Sequence, residues 1–192
     1  MTKKSFFLLN IFFTYFFFIS ISFADLQKDI INKLTSTQTL TFNFKQIISD
    51  KQEIGKCFIK YPLLMKCNYK ILKEKIIISN GKTVAIIKKK YKKIYLYPLK
   101  STPLFFILKK EKIIDLIRKT NPVEIDSNLI GFTFVNKKKN KIKILFNKNS
   151  LDLKGWETTD AYSNKVSFEI NNLIINNQIV DNFFKIPQEK DL

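Results

Sequence analysis

The chain has 192 residues, with 34 lysines and arginines against 16 aspartates and glutamates, a formal charge of +18, and no histidine. The missing histidine excludes Ser-His-Asp and Cys-His nucleophile systems and imidazole metal sites, and two cysteines alone do not make a structural zinc site. Arg118 is the only arginine, whereas groove readers and phosphate clamps favour the planar arginine fork. A-rich codon bias produces the same lysine excess without selection for binding, so no nucleic-acid partner is expected.

The chain opens MTKKSFFLLNIFFTYFFFISISFADLQ. Lys3 and Lys4 form a positive leader, Ser5 to Ile19 carry no charge, and Ser22-Phe23-Ala24 place small residues three before and one before a cut after Ala24. This pattern predicts a secretory signal peptide over residues 1–24. The apolar run is short of the ~20 residues of an uncleaved anchor. No cysteine follows the cut, so a lipid-anchored form is not expected. Residues 25–192 are then expected to form one exported domain, in a compartment that permits disulfides. Cys57 and Cys67 can make at most one bridge within the chain.

Asp25 to Leu34 reads as an amphipathic helix, with Leu26, Ile30, Ile31 and Leu34 on one face. From Leu40 the period becomes two, as Leu40, Phe42 and Phe44 alternate with Thr41, Asn43 and Lys45. Gly55–Lys60 and Met65–Leu72 read as strands about a turn at residues 61–64. In EKIIISNGKTVAII two further runs join through Asn80-Gly81, a strong hairpin signal. Lys88, Lys89, Lys90, Lys92 and Lys93 then crowd around Tyr91. With Thr83–Ile87 leading in and Ile94–Tyr97 leading out, they form a charged hairpin tip, a candidate docking rim for an acidic partner or anionic headgroups.

STPLFFILKKEKIIDLIRKT breaks the rhythm. Ser101 or Thr102 can cap a helix, Pro103 suits its first turn, and Leu104, Ile107 and Leu108 share a face. Ile113, Ile114 and Ile117 belong to a second helical segment. LIGFTFVN, KIKILFN, LKGWETTD, NKVSFEIN and NFFKIP return to strand. The pattern predicts one antiparallel sheet of many strands, curved and lidded by helices, although periodicity does not distinguish an apolar cavity from a packed core. Glu157 and Asp160 read as turn and surface residues rather than an acid–base pair, and Trp156 as a packing residue.

The order of these pieces resembles the LolA-type periplasmic carriers of outer-membrane lipoproteins. An N-terminal helix is followed by FKQ at 44–46, GKCFIKYP at 55–62, LLMKCNY, SNGKTV at 79–84, YPLKSTPLFFIL at 97–108, LKGWETTDAYSN, and FFKIP near the end. The resemblance implies an α+β fold, a single unclosed antiparallel β-barrel (a half-barrel) whose helices form a lid over an apolar concave cavity. It also implies a soluble periplasmic chaperone, monomeric and not an enzyme, with no cofactor or metal. Such a carrier takes lipoprotein acyl chains released by an inner-membrane ABC transporter and delivers them to an outer-membrane acceptor. A same-fold binder or sensor of another lipid or amphiphile is the nearest alternative. A cationic module for nucleic acid or anionic envelope polymers is a distant one.

Two positions depart from the family pattern. The family usually has an arginine before the proline of the second hairpin, where this chain has Tyr61. A phenol donates one hydrogen bond and no charged fork, so Tyr61 is expected to be a weaker lid latch or a plain turn-flanking residue. The family also places large apolar residues where Cys57 and Cys67 stand. Facing each other across antiparallel strands, on Tyr61's side, they are expected to form a disulfide, the alternative being two reduced fillers. Parity with Tyr61 then assigns the acyl cavity to Phe42, Phe44, Ile59, Met65, Tyr69 and Ile77 of the sheet, Leu34 of the first helix, and Leu104, Ile107 and Leu108 of the lid.

Overall fold

The computed structural model describes residues 23–70, 75–135, 141–159 and 164–192; the expected signal segment, apart from Phe23 and Ala24, lies outside them, as do Leu72 and Asp160. Helix α1 (Phe23–Ser36) turns Ile30 and Leu34 into the core, as its apolar spacing requires. Ten long strands follow, together with one of two residues. They are β1 (Thr39–Ile48), β2 (Lys51–Lys60), β3 (Leu64–Tyr69), β4 (Lys75–Asn80), β5 (Thr83–Lys88), β6 (Lys93–Pro98), β7 (Val123–Glu124), β8 (Leu129–Val135), β9 (Lys141–Asn147), β10 (Leu153–Thr159) and β11 (Lys165–Ile175). Between β6 and β7 lie α2 (Leu104–Leu108) and α3 (Lys110–Lys119).

All pairings are antiparallel, in the order β6-β5-β4-β3-β2-β1-β11-β10-β9-β8-β7. The N-terminal strand β1 zips onto the last strand β11, with Phe44 opposite Ile170 and Gln46 opposite Phe168, so the two halves of the chain form one sheet. Strands β6 and β7 are its edges and do not pair with each other. The barrel is therefore open, and the connection carrying α2 and α3 spans the gap. Phe106 of α2 stacks on Phe134 of β8, with ring centroids 5.2 Å apart.

The concave face carries the main core. Phe42, Cys57, Ile59, Phe132, Ile144, Phe146 and Ile170 lie fully buried with Leu108, Ile113 and Ile117 of the helices. The Asn80 side chain accepts hydrogen bonds from the Lys82 and Thr83 amides at 3.1 and 2.9 Å, and Gly81 takes φ 94° to close the hairpin. The lysine tip is a 3-10 turn, Lys89–Tyr91, closed by Lys92 in the left-handed region.

Three sequence expectations need correction, and one short strand comes without any expectation. Strand β2 begins at Lys51 rather than Gly55, because backbone pairing with β1 extends a strand whose polar side chains hide it from periodicity. NFFKIP is not a strand: Asp181–Phe184 form a 3-10 turn that places Phe184 in the protein and Phe183 against Phe58, with centroids 4.9 Å apart. Neither Ser101 nor Thr102 caps α2. Their hydroxyls donate back to Pro98 O and Leu99 O, closing the turn that precedes the helix. The two-residue strand β7, paired with Gly131 and Ile130, is too short to leave a sequence pattern.

Candidate functional site

A cavity of about 260 Å³ opens between the concave face and α2. Its sheet wall comes from Met65, Cys67 and Tyr69 of β3 and Ile77 of β4 on one side, and from Ile142, Trp156, Val166 and Phe168 of β9–β11 on the other. Pro103, Leu104 and Ile107 form its helical side. Aromatics stack through the wall. Trp156 lies parallel on Phe168 at 4.2 Å, and Phe168 stacks on Phe44 at 4.8 Å. Phe44 lies over Gly55, whose absent side chain leaves the room: a Cβ there would come within 2.6 Å of the Phe44 ring.

Polar groups enter only at one end, through Gln46, Tyr69, Thr158 and Thr159. The Tyr69 hydroxyl donates to Gln46 Oε1 at 2.7 Å. Lys75 lies 3.8 Å from the centre of the Tyr69 ring and ion-pairs with Glu53 at 2.6 Å. Burial, and then the Glu53 carboxylate, push the Tyr69 phenol up, so it remains a neutral donor. Among the described residues, no cluster of three or more His, Cys, Asp or Glu side chains could hold a metal ion. The described lining is thus mostly apolar, with Gln46, Tyr69, Thr158 and Thr159 at one end.

Of the residues assigned to the cavity by parity, Met65, Tyr69, Ile77, Leu104 and Ile107 line it. Leu34, Phe42, Phe44, Ile59 and Leu108 lie in the packed core around it instead. They share the correct face but are covered by neighbouring side chains, as Phe44 is by Tyr69 and Phe168. Cys57 and Cys67 are directly opposite on β2 and β3 and are bonded as a disulfide, and Cys67 reaches the cavity wall.

Tyr61 supplies no latch bond in the structure. Its ring packs on the core, and its buried hydroxyl meets no hydrogen-bond partner; burial pushes the phenol up. The helices are tied by other groups. The Leu63 amide donates to Leu108 O at 3.0 Å. Lys110, the first residue of α3, donates to Thr35 O and Thr37 O at 2.9 and 2.8 Å, where a cation complements the carbonyl end of α1. Its ammonium also lies 5.7 Å from the centre of the Tyr61 ring. Gln27 of α1 donates to Ile117 O and Thr120 O of α3. The lysine tip is exposed at the β5–β6 turn, outside the cavity lining. Glu157 is half-buried and 3.7 Å from Lys143, a structural ion pair.

Sequence reasoning did not reach the second wall. Trp156, Val166 and Phe168 alternate as strand residues should, but their place opposite Tyr69 depends on β1 pairing with β11, which no local pattern announces. Trp156 is the packing residue expected of it and a lining residue as well.

An open antiparallel half-barrel with helices over an apolar concave cavity defines the class of fold. The family described as "Outer membrane lipoprotein carrier protein LolA" matches residues 35–187, and the chain belongs to this LolA family. No curated protein matches the sequence. Among solved structures, LprF from Mycobacterium bovis is similar at a TM-score of 0.51 and 10% identity, over 88% of this chain and 98% of that one. An uncharacterized conserved protein from Thermus thermophilus also reaches 0.51, at 7% identity over 86% and 95%. A chain of the Pseudomonas aeruginosa MucA/MucB complex reaches 0.50 at 7% identity, over 86% of this chain and 62% of that one. At such identities the likeness is one of fold alone.

Proposed function

We propose that this protein is a periplasmic carrier that shields the acyl chains of lipoproteins between the inner and outer membranes. The observation that carries the reading is the cavity itself: an apolar pocket walled by stacked aromatics and covered by a five-residue helix. Acyl chains bind by burial, at ~0.8 kcal/mol per methylene, and an apolar wall captures them without chemistry and releases them the same way. Met65 and the aliphatic lid suit mobile chains, since their contacts are non-directional. Family membership supports a carrier rather than a catalyst. Export through the signal segment at 1–24 fits the same reading, and no helix among the described residues is long and apolar enough to cross a membrane.

The cavity volume lies just below the ~300–1,000 Å³ of ordinary small-molecule sites, so a multi-chain anchor needs more room than it offers. A multi-chain anchor enters when α2 lifts. The helix is held by the Leu63–Leu108 backbone bond and by Phe106 stacking on Phe134, whereas α3 stays tied to α1 through Lys110 and Gln27. The inner-membrane ABC transporter and the outer-membrane acceptor are the expected partners, with the protein acting as a monomer.

Depletion in the native bacterium tests the reading. Lipoproteins stranded in the inner membrane are the expected result, and normal sorting would refute it. Recovery of the exported protein with free lipid, rather than with a lipoprotein, would favour a same-fold lipid binder or sensor.

A further inference from the structure

The register of the sheet brings one end of every long strand to the rim where the cavity lies. Ile48 ends β1, Tyr69 ends β3 and Thr159 ends β10, while Ile142 and Val166 are the second residues of β9 and β11; all five line the cavity. At this same rim six of the ten long strands begin or end in lysine: Lys51, Lys75, Lys88, Lys93, Lys141 and Lys165. At the opposite rim only Lys60 does so, and it is paired with Asp181 at 2.6 Å. The pairings place Lys75, Lys88 and Lys93 side by side, with Lys75 opposite Lys88 and Lys88 opposite Lys93, whereas Lys51, Lys141 and Lys165 stand opposite Ile48, Val135 and Thr159. Lys82, Lys100, Lys148 and Lys154 stand in or beside the turns of the opposite rim, so the cavity rim is the richer of the two in strand-end lysines rather than the only one to carry lysine.

Among the described residues, four carboxylates stand near these six lysines. Glu53 is engaged by Lys75 and Glu157 by Lys143, Glu189 stands 4.0 Å from Lys93, and Asp50 lies in the β1–β2 turn. Lys51, Lys93, Lys141 and Lys165 are exposed. Beside the ring, the β5–β6 hairpin presents Tyr91, Tyr95 and Leu96 to solvent, at 51%, 43% and 60% exposure. Lysine next to exposed tyrosine and leucine is the composition that settles at a bilayer's interfacial zone.

We infer that this lysine rim is a docking surface for an anionic phospholipid bilayer, holding the cavity mouth against the headgroups while acyl chains pass. The inference rests on the acyl-carrier reading for its purpose, though not for its test. A ring around a mouth matches a planar surface of uniform negative charge, where a local patch would match one acidic protein. Attraction of this kind acts within a Debye length of about 10 Å at 0.1 M salt.

The test uses the exported chain with sedimenting vesicles of phosphatidylcholine alone, or of equal parts phosphatidylcholine and phosphatidylglycerol. A rim variant carries Lys51→Gln, Lys88→Gln, Lys141→Gln and Lys165→Gln. A control variant of identical net charge carries Lys56→Gln, Lys82→Gln, Lys100→Gln and Lys154→Gln, away from the mouth. Binding is expected only to the anionic vesicles and is expected to weaken with salt. A lysine near an anionic surface contributes a factor of about five, so the rim variant should lose at least about a hundredfold while the control loses a few-fold. An uncharged fluorescent monoacylglycerol reports the cavity separately, and the rim variant should bind it as the parent does.

Equal losses in both variants, or no binding of the parent to anionic vesicles, would overturn the docking surface. Vesicle binding lost at the rim variant together with monoacylglycerol binding would overturn the separation of rim from cavity. Monoacylglycerol ignored by the parent while the vesicle arm behaves as expected would remove the acyl-carrier reading and leave the docking surface standing.

Discussion

The two faces of strands β2–β6 both bury apolar side chains, but they are covered in different ways. On the convex face, the C-terminal tail lies over Ile78, Ala85 and Ile87, which keep at most 2% exposure. It is fastened by Phe184, by Phe183 on Phe58, by the Lys60–Asp181 ion pair, by Lys60 to Ile179 O, and by Glu189 accepting from the Ile94 amide of the edge strand. On the concave face, the five residues of α2 leave a cavity and take one backbone bond from the β2–β3 turn. The tail is tied by aromatic, ionic and hydrogen-bond contacts together, whereas α2 is seated mainly by Ile107 and Leu108 in the core and leaves Leu104 at the cavity edge.

The largest effect expected from breaking the convex cover is at Phe184. Phe184→Ala should cost about 3–5 kcal/mol, read as a lowered urea midpoint, with acyl binding per folded molecule unchanged. Loss of acyl binding at full folding would mean that the tail belongs to the site.

Gly55→Ala attacks the cavity wall. The new Cβ meets the Asn68 carbonyl oxygen and the Phe44 ring, so stability should fall by about 1–3 kcal/mol and acyl affinity with it, since Phe44 supports Phe168. Leu104→Gln acts on the lid alone. It should weaken acyl capture about tenfold, near 1.4 kcal/mol, with a midpoint shift well below that of Phe184→Ala; a large stability loss would show that the lid is structural after all.

The smallest effects lie at the two buried phenols. Tyr61 and Tyr69 are held neutral in the folded protein by burial. Up to the ordinary tyrosine pKa of about 10, folded and unfolded chains hold the same phenol protons, and these groups contribute no pH slope. Above it the unfolded chain gives up protons the folded one retains. Stability then falls as pH rises, by up to about 1.4 kcal/mol per unit for each phenol. Urea titrations of Tyr61→Phe should show a shallower alkaline decline than the parent. At neutral pH the same variant should be unchanged or up to about 1 kcal/mol more stable, because it removes an unsatisfied hydroxyl. A clear loss would mean that the hydroxyl serves a partner.

The legible parts of the fold were the local ones. Leu26, Ile30, Ile31 and Leu34 announced α1, Asn80-Gly81 announced its hairpin, and the ordered motifs announced the open barrel. The first wall of the cavity was also within reach. Met65, Tyr69 and Ile77 share a face because a two-residue period propagates through short hairpins. Lys51–Ile54 were missed because backbone pairing alone makes them strand. Asn182–Pro187 were misread because two adjacent phenylalanines resemble a buried strand as readily as a tight turn.

By itself, the sequence determined the classes of chemistry that are excluded, the local elements, the apolar parity of each strand and the family. The first three follow from composition or from spacing within a few residues, and the family from the resemblance of motifs ordered along the chain. Only the tertiary structure decided which apolar residues line a space and which merely fill one, because that depends on β1 meeting β11 and on where α2 comes to rest. It also separated the lysines at the cavity mouth from those scattered elsewhere, since antiparallel register gathers the ends of distant strands at one rim. Tyr61 shows the same limit. Its identity ruled out a charged fork, but only the packing around it revealed a hydroxyl without a partner and left Lys110 to tie the helices together.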